Sequence, residues 1–287
     1  MAYLTEEKRL FLENKANEVR QLLIDMLEDA GSGHTAGPLG MADVFTAFYF
    51  HILNHSPKEP MFEERDRFIL SNGHIVPIRY ATMALAGYFS VEEAKTLRKF
   101  GSRMQGHPER ILLPEMETTS GPLGTGLSQA AGIALAARMD KKPFRTYCMM
   151  GDGEQDAGNV WEAVMFAGKY KLSNLTAIID RNNIQINGMT EDVMPLEPLK
   201  DKYEAFNWNV IDIDAHNMEA IVDAVEQAKA VYEKPTLIIA HAIAGKGIKE
   251  IEYDYKWHGM PPNKEQELRW LKELRTLGGK ITPSNHD

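Results

Sequence analysis

The chain of 287 residues contains one cysteine, Cys148, so no disulfide can form within it. No stretch reaches the ~18 consecutive apolar residues that a membrane span requires. The start, MAYLTEEKRL, lacks the basic segment and apolar run of a secretory signal. These absences point to a soluble protein of a reducing compartment, most simply the cytoplasm. Basic side chains are in the minority: 32 against 41 acidic ones give a net charge of −9, so nucleic acid and anionic lipid would repel the chain as a whole. Neither internal repeats nor low-complexity tracts occur, which removes solenoids and long flexible linkers. With 44% apolar and 25% charged residues, the composition is that of a globular protein able to bury a large core.

What is present is an alternation of two periodicities. Residues 5–30 place Leu10, Ala16, Val19, Leu22, Leu23, Met26 and Leu27 near a 3.6-residue period, which predicts an amphipathic helix with Thr5 in its first turn. Short β-rich runs follow at 68–71, 145–150, 175–180, 209–213 and 236–241. Helical patterns lie between them at 75–87, 127–138, 160–170, 196–206 and 218–232, and a last helix is expected at 265–277. Runs such as LTAIID and PTLIIAH are apolar at nearly every position, as strands covered on both faces must be. The chain therefore reads as α/β, a doubly wound, mainly parallel sheet with helices on both faces. Ligands of such sheets bind beyond the carboxyl ends of the strands, near helix N-termini.

The clusters of Gly, Asp, Asn and His fall at those strand ends. RTYCMM runs into Gly151-Asp152-Gly153 ahead of a helix expected to start near Gly158. Glycine allows close backbone approach to a ligand, and a helix N-terminus favours a diphosphate. LTAIID likewise runs into Arg181-Asn182-Asn183-Ile184. As neighbouring strands, the two present Asp152 and Asn182 at one sheet edge, a carboxylate and an amide of the kind Mg²⁺ or Ca²⁺ takes together with phosphate oxygens. A lone Gly-Asp-Gly is as readily a tight turn; the second cluster tips the balance toward a site. Four of the nine histidines sit in Gly-containing loops: His34 in GSGHTAGPLG, His74 in SNGH, His107 in QGHPE and His258 in KWHG. One loop histidine is usually structural, but four together suit donation to phosphate and proton exchange with sugar hydroxyls. His51, His55, His216, His241 and His286 lack such surroundings and are read as structural. The run from Gly121 to Gly126, GPLGTG, is either a plain entry to an Ala-rich helix or, through Gly121 and Leu123, a platform for a flat heteroaromatic ring.

In this order, GSGHTAGPLG, DRFILSNGH, GHPE, GPLGTG, GDGE with NNIQING, and GKG followed by KWHG resemble the thiamine-binding half of transketolase over residues 5–278. The resemblance implies one thiamine diphosphate-binding domain over residues 1–287. The pyrimidine-binding and C-terminal domains would then lie on a partner chain, as in a split transketolase whose N-terminal subunit this resembles. The implied cofactors are thiamine diphosphate and Mg²⁺ or Ca²⁺. Asp152, Asn182 and the carbonyl of Ile184 would hold the metal, with His74, Gly151, Gly153 and His258 at the diphosphate. Gly121 and Leu123 would meet the aminopyrimidine, and His34, His107 and His258 would be the catalytic residues along the sugar. The implied reaction passes a two-carbon glycolaldehyde unit from a ketose, or its phosphate, to an aldose, or its phosphate, as in the pentose phosphate pathway. A heterotetramer is the implied assembly, and the isolated chain is expected to bind cofactor weakly and not to turn over.

One position departs from that family. Ala157 of GDGEQDAG stands where transketolases usually carry a glutamate of an acidic network linking paired active sites, with Glu154 and Asp156 the nearest replacements. Competing readings are a relative of 1-deoxyxylulose-5-phosphate synthase, an α subunit of a 2-oxo acid dehydrogenase, and a catalytically silent scaffold. GHTAGPLG, GHPE and KWHG favour transketolase over the first, and the four histidines favour it over the second.

Overall fold

In the computed structural model, residues 4–276 are described. The strands are, in chain order, β1 (Arg67–Leu70), β2 (Thr146–Gly151), β3 (Leu175–Arg181), β4 (Ile184–Gln185), β5 (Gly188–Met189), β6 (Asn209–Asp214) and β7 (Thr236–His241). Five of them pair in the order β1-β2-β3-β7-β6, every pair parallel, while β4 and β5 form a small antiparallel hairpin just after β3.

Alternation along the strands explains why the runs are apolar throughout. Phe68, Leu70, Tyr147, Met149, Ile178, Ile238 and Ala240 enter one core, shared with the helices Glu6–Ala30, Ala42–Ala47, Val76–Leu85 and Met218–Ala230. Ile69, Cys148, Met150, Ala177, Ile179, Leu237 and Ile239 enter the other, under the helices Gly126–Met139, Gly158–Lys169 and Leu199–Ala205. Both faces of β1, β2, β3 and β7 are thus removed from water, while the edge strand β6 stays half-buried, and the doubly wound α/β arrangement follows.

The first helix starts where Thr5 caps it, the hydroxyl accepting the Lys8 N–H at 3.2 Å, and Glu6 and Glu7 suit its positive end. It ends at Gly31, whose φ of 60° closes the last turn. Its expected apolar face is buried except for Leu10, which turns outward and is 42% exposed. The helix expected at 196–206 starts only at Leu199, because Pro198 cannot continue a hydrogen-bonded turn behind it. The one expected at 218–232 stops at Ala230, and the one expected at 75–87 covers Val76–Leu85 behind a short turn at Gly73–Ile75. The last helix is described through Thr276; Leu277, like His286, lies outside the described residues. Helical turns at Ala36–Gly40, Ala42–Ala47 and Phe48–Ile52 have no counterpart among the expected elements. They are almost wholly buried, so no polar stripe marks their period. Among the described residues no helix is long and apolar enough to cross a membrane.

Two helical glycines separate propensity from packing. A Cβ on Gly132 would meet nothing within 4 Å, whereas one on Gly168 would stand 2.0 Å from the backbone oxygen of Phe206. Gly132→Ala is expected to stabilise by about 0.5–1 kcal/mol through helix propensity. Gly168→Ala is expected to destabilise by about 1–3 kcal/mol despite the same propensity gain. Urea unfolding of the two variants checks this, and shifts of the same sign would refute the packing account.

Candidate functional site

The tips of β1, β2 and β3 form one ledge. Their register sets Leu70 beside Met149 and Gly151 beside Asp180, so Asn72, Asp152 and Asn182 all leave the sheet at its carboxyl edge. Glu154 locks the ledge from beneath. Its buried carboxylate accepts the Ser71 hydroxyl, the Gly124 N–H at 2.6 Å and the Gly151 N–H at 3.0 Å, joining β1, the 121–126 loop and β2. Burial raises its pKa and these three bonds oppose the rise. Gly124 turns at a φ of 83°, a conformation that favours glycine, and delivers its N–H to that carboxylate. Glu154 is therefore engaged inside the fold. Asp156 is exposed and accepts the Gln185 amide at 3.1 Å, and Ala157 is half-buried.

Above the ledge opens a cleft of about 350 Å³. His34, His74, His107, Gly121, Leu123, Gly151, Asp152, Gly153, Asn182, Ile184 and His258 all line it, although the chain brings them from separate loops. Asp152 is buried, and its Oδ2 accepts the Asn183 N–H at 2.7 Å, Arg181 at 3.2 Å and the Thr190 hydroxyl at 3.3 Å. Its Oδ1 accepts only the Gly153 N–H, at 2.7 Å, and so keeps a lone pair for a ligand. Burial raises the Asp152 pKa, against the pull of Arg181. Asn182 donates to Asp180 at 2.8 Å and accepts the Ile184 N–H at 3.1 Å. Among the described residues no three His, Cys, Asp or Glu side chains form a self-sufficient metal cage. The donor set of Asp152, Asn182 and a backbone carbonyl fits a hard cation that takes its other ligands from a diphosphate.

Three of the histidines form a cluster. Ring centroids lie 4.8 Å apart for His34 and His74, 5.3 Å for His34 and His258, and 5.2 Å for His74 and His258. Burial lowers the His34 pKa to about 4, helped by the neighbouring His258, Arg98 and His107. Burial and the other histidines push His74 well below its usual value, and burial lowers His258. His107, at the mouth, is lowered by crowding and by Arg98 although its surface remains exposed. The cluster is neutral near pH 7.

Several residues of this cleft and its wall lie within motif segments without being singled out by them. Asn72 is 1% exposed, and neither its amide oxygen nor its nitrogen has a partner. Asp180, at the end of β3, also lines the cleft with Oδ1 unpartnered; burial, and then Asp152, hold its pKa well above the carboxylate range. Asn72 is the asparagine of SNGH and Asp180 closes LTAIID, yet neither pattern says that its side chain enters the cleft. Arg181 bridges Asp152 to Glu191 at 2.6 Å and Glu197 at 3.0 Å, clamping the segment after the hairpin. Of the histidines read as structural, His55 sits between Tyr49 and Tyr88, and His241 bonds Asp212.

A family model described as the thiamine diphosphate binding domain of transketolase matches residues 12–280. One subunit of the apulose-4-phosphate transketolase of Phocaeicola vulgatus is 41% identical over 275 residues, covering 96% of this chain and 98% of that subunit. The 6-deoxy-6-sulfo-D-fructose transketolase subunit SqwG of a Clostridium species is also 41% identical, covering 95% of this chain and 99% of its own. Among solved structures, transketolase from Campylobacter jejuni superposes with a TM-score of 0.87 at 38% identity, covering 94% of this chain and 43% of that one. The chain thus spans less than half of that longer transketolase and nearly all of the two bacterial subunits.

The depressed histidine pKa values have a stability consequence with a definite sign. The folded state resists protonating these rings, whereas the unfolded chain takes up protons from about pH 6.5 downward. The histidines' contribution to stability is therefore full above that pH and falls as pH drops toward the His34 value of about 4, while the raised pKa of buried Asp180 contributes with the opposite sign. Relative to its value at about pH 7, the urea midpoint at about pH 5 is expected to be higher in His74→Gln than in the native chain. An identical pH slope in the variant would contradict the buried neutral cluster.

Proposed function

Because the chain belongs to the transketolase family, in its thiamine diphosphate-binding domain, we propose that it joins a partner subunit in moving a glycolaldehyde unit from a ketose or ketose phosphate to an aldose or aldose phosphate. The observation that carries this reading is a single cleft, at three parallel strand tips, that gathers Asp152, Asn182, four histidines and Leu123. The cofactor, when bound, supplies a nucleophilic carbon and an electron sink for breaking the bond between C2 and C3 of the ketose.

This chain's residues hold and orient. Asp152 through Oδ1, the Asn182 amide oxygen and the Ile184 carbonyl take Mg²⁺ or Ca²⁺. His74, Gly151, Gly153 and His258 face the diphosphate, and Gly121 and Leu123 lie against the aminopyrimidine. His34, His107 and His258, being neutral, accept or return a proton at the sugar hydroxyls. A diphosphate beside His74 favours its charged form, so cofactor binding near pH 7 takes up a proton there.

The need for a second chain is supported by the rim. Leu123 is 44% and Ile186 71% exposed, both on the cleft wall, an apolar lip suited to cover by another protein surface. We assign the pyrimidine-binding and C-terminal domains to that chain, in a cytoplasmic heterotetramer serving carbohydrate metabolism such as the pentose phosphate pathway.

Mixing the chain with its partner, thiamine diphosphate, Mg²⁺, a ketose phosphate and an aldose phosphate is expected to give two-carbon transfer. Consumption of pyruvate instead would favour the synthase or dehydrogenase reading, and absence of both activity and metal-dependent cofactor binding would favour a scaffold. Asp152→Ala is expected to weaken metal-dependent cofactor binding about a hundredfold by calorimetry. His107→Ala should lower turnover while leaving cofactor affinity nearly intact; equal loss of both would remove His107 from the sugar. Calorimetry in buffers of different ionisation enthalpy reads the proton uptake, which His74→Gln should reduce.

A further inference from the structure

Behind the cleft, four segments that contribute nothing to its lining meet at one buried point. Arg20 of the first helix donates to both oxygens of Asp43, Nη1 to Oδ1 at 3.0 Å and Nη2 to Oδ2 at 2.6 Å. His216, in the turn after β6, bonds Asp43 Oδ2 through Nδ1 at 2.9 Å, while its Nε2 accepts the backbone N–H of Ile243 at 2.9 Å. The second bond decides the tautomer. A ring nitrogen that accepts carries no proton, so the proton sits on Nδ1 and the ring is neutral. Burial works to raise the Asp43 pKa, but Arg20 and His216 outweigh it and hold the carboxyl well below its usual range. Burial lowers His216 against the pull of Asp43. The remaining charges felt there are those of Lys246 on the imidazole and of Arg20 itself.

Ile243 opens the turn that leads from β7 toward His258. Two residues on, the Gly245 N–H donates to the Ala36 carbonyl at 2.8 Å, in the segment that carries His34, and the Ala244 carbonyl accepts the Tyr253 N–H at 3.0 Å. From the other side the turn is wedged by Gly40, where a Cβ would stand 2.8 Å from the Ile243 carbonyl oxygen. We infer that His216 is a positioning residue for the cofactor and sugar site. Asp43, anchored by Arg20, orients the imidazole; the imidazole fixes the Ile243 peptide; and that peptide sets the spacing of His34 and His258. A turn that only had to be filled would do as well with apolar side chains, without the cost of taking charges out of water. The inference rests on the reading that His34 and His258 work in the cleft.

The test compares His216→Leu, which fills the space and deletes both bonds, with His216→Gln, whose amide offers one donor and one acceptor. With the partner subunit, thiamine diphosphate and Mg²⁺, His216→Leu is expected to weaken cofactor binding and lower kcat/KM by about tenfold to a hundredfold. In the isolated full-length chain it should shift the imidazole NMR signals of His34 and His258. His216→Gln should restore most of each. Gly40→Ala pushes the same peptide from the opposite side and should shift the same signals, and it carries the test if His216→Leu does not fold. Unmoved His34 and His258 signals in either folded variant, or equal losses in His216→Gln and His216→Leu, would overturn the inference. Shifted signals in a complex that binds no thiamine diphosphate would sustain the positioning role and refute the function proposed for the cleft.

Discussion

The hydrogen-bonded register of β2 against β3, with Gly151 opposite Asp180, sends Asp152 and Asn182 out of the sheet side by side. A slip of one residue would swap the faces of every β3 side chain and withdraw Asn182 from the ledge. That slip is strongly disfavoured because β3 is buried along its whole length, with Ile178 in one core and Ile179 in the other. The site thus inherits its geometry from hydrophobic burial on both sides of the sheet, and β1 extends the ledge by placing Asn72 against Gly151.

On this scaffold the fold tolerates polar groups that would be poorly placed in an ordinary core. Asn72, Asp180 Oδ1, His34 Nδ1 and His258 Nδ1 are buried without partners. Each such atom costs about 1–3 kcal/mol, so a cleft that keeps several of them is shaped for something that will satisfy them. Burial also decides the charge state. The histidines are held neutral and Asp180 is pushed toward its protonated form, so an arriving charged ligand would meet groups able to change protonation as it binds.

Two buried acid-centred networks keep this surface in place from different directions. Glu154 secures the strand tips and the 121–126 loop from beneath, and Asp43 with His216 secures the turn after β7 from behind. A third contact, from the Thr35 hydroxyl to the Met260 carbonyl, ties the His34 segment directly to the one after His258. Glu154 is fully engaged in this way, whereas its neighbour Asp156 is exposed and bonds only the Gln185 amide among the described residues.

The five strands and the helices between them were legible in the sequence because alternation and 3.6-residue periodicity are local properties, readable within a dozen residues. So were the motif residues of the cleft, since each sits at a strand end or in a glycine loop. The buried helical turns within 36–52 were not legible, having no polar side to betray a period, and neither was the outward turn of Leu10. Asn72, Asp180, Glu154 and Arg181 lie inside motif segments that do not show what each of them does, and His216 lies outside every motif. Their roles depend on which groups lie beside them after the chain has closed. Hydrogen-bond pairing and desolvation are set by neighbours distant in sequence, and for His216 those neighbours are Arg20, Asp43 and Ile243, from three other parts of the chain.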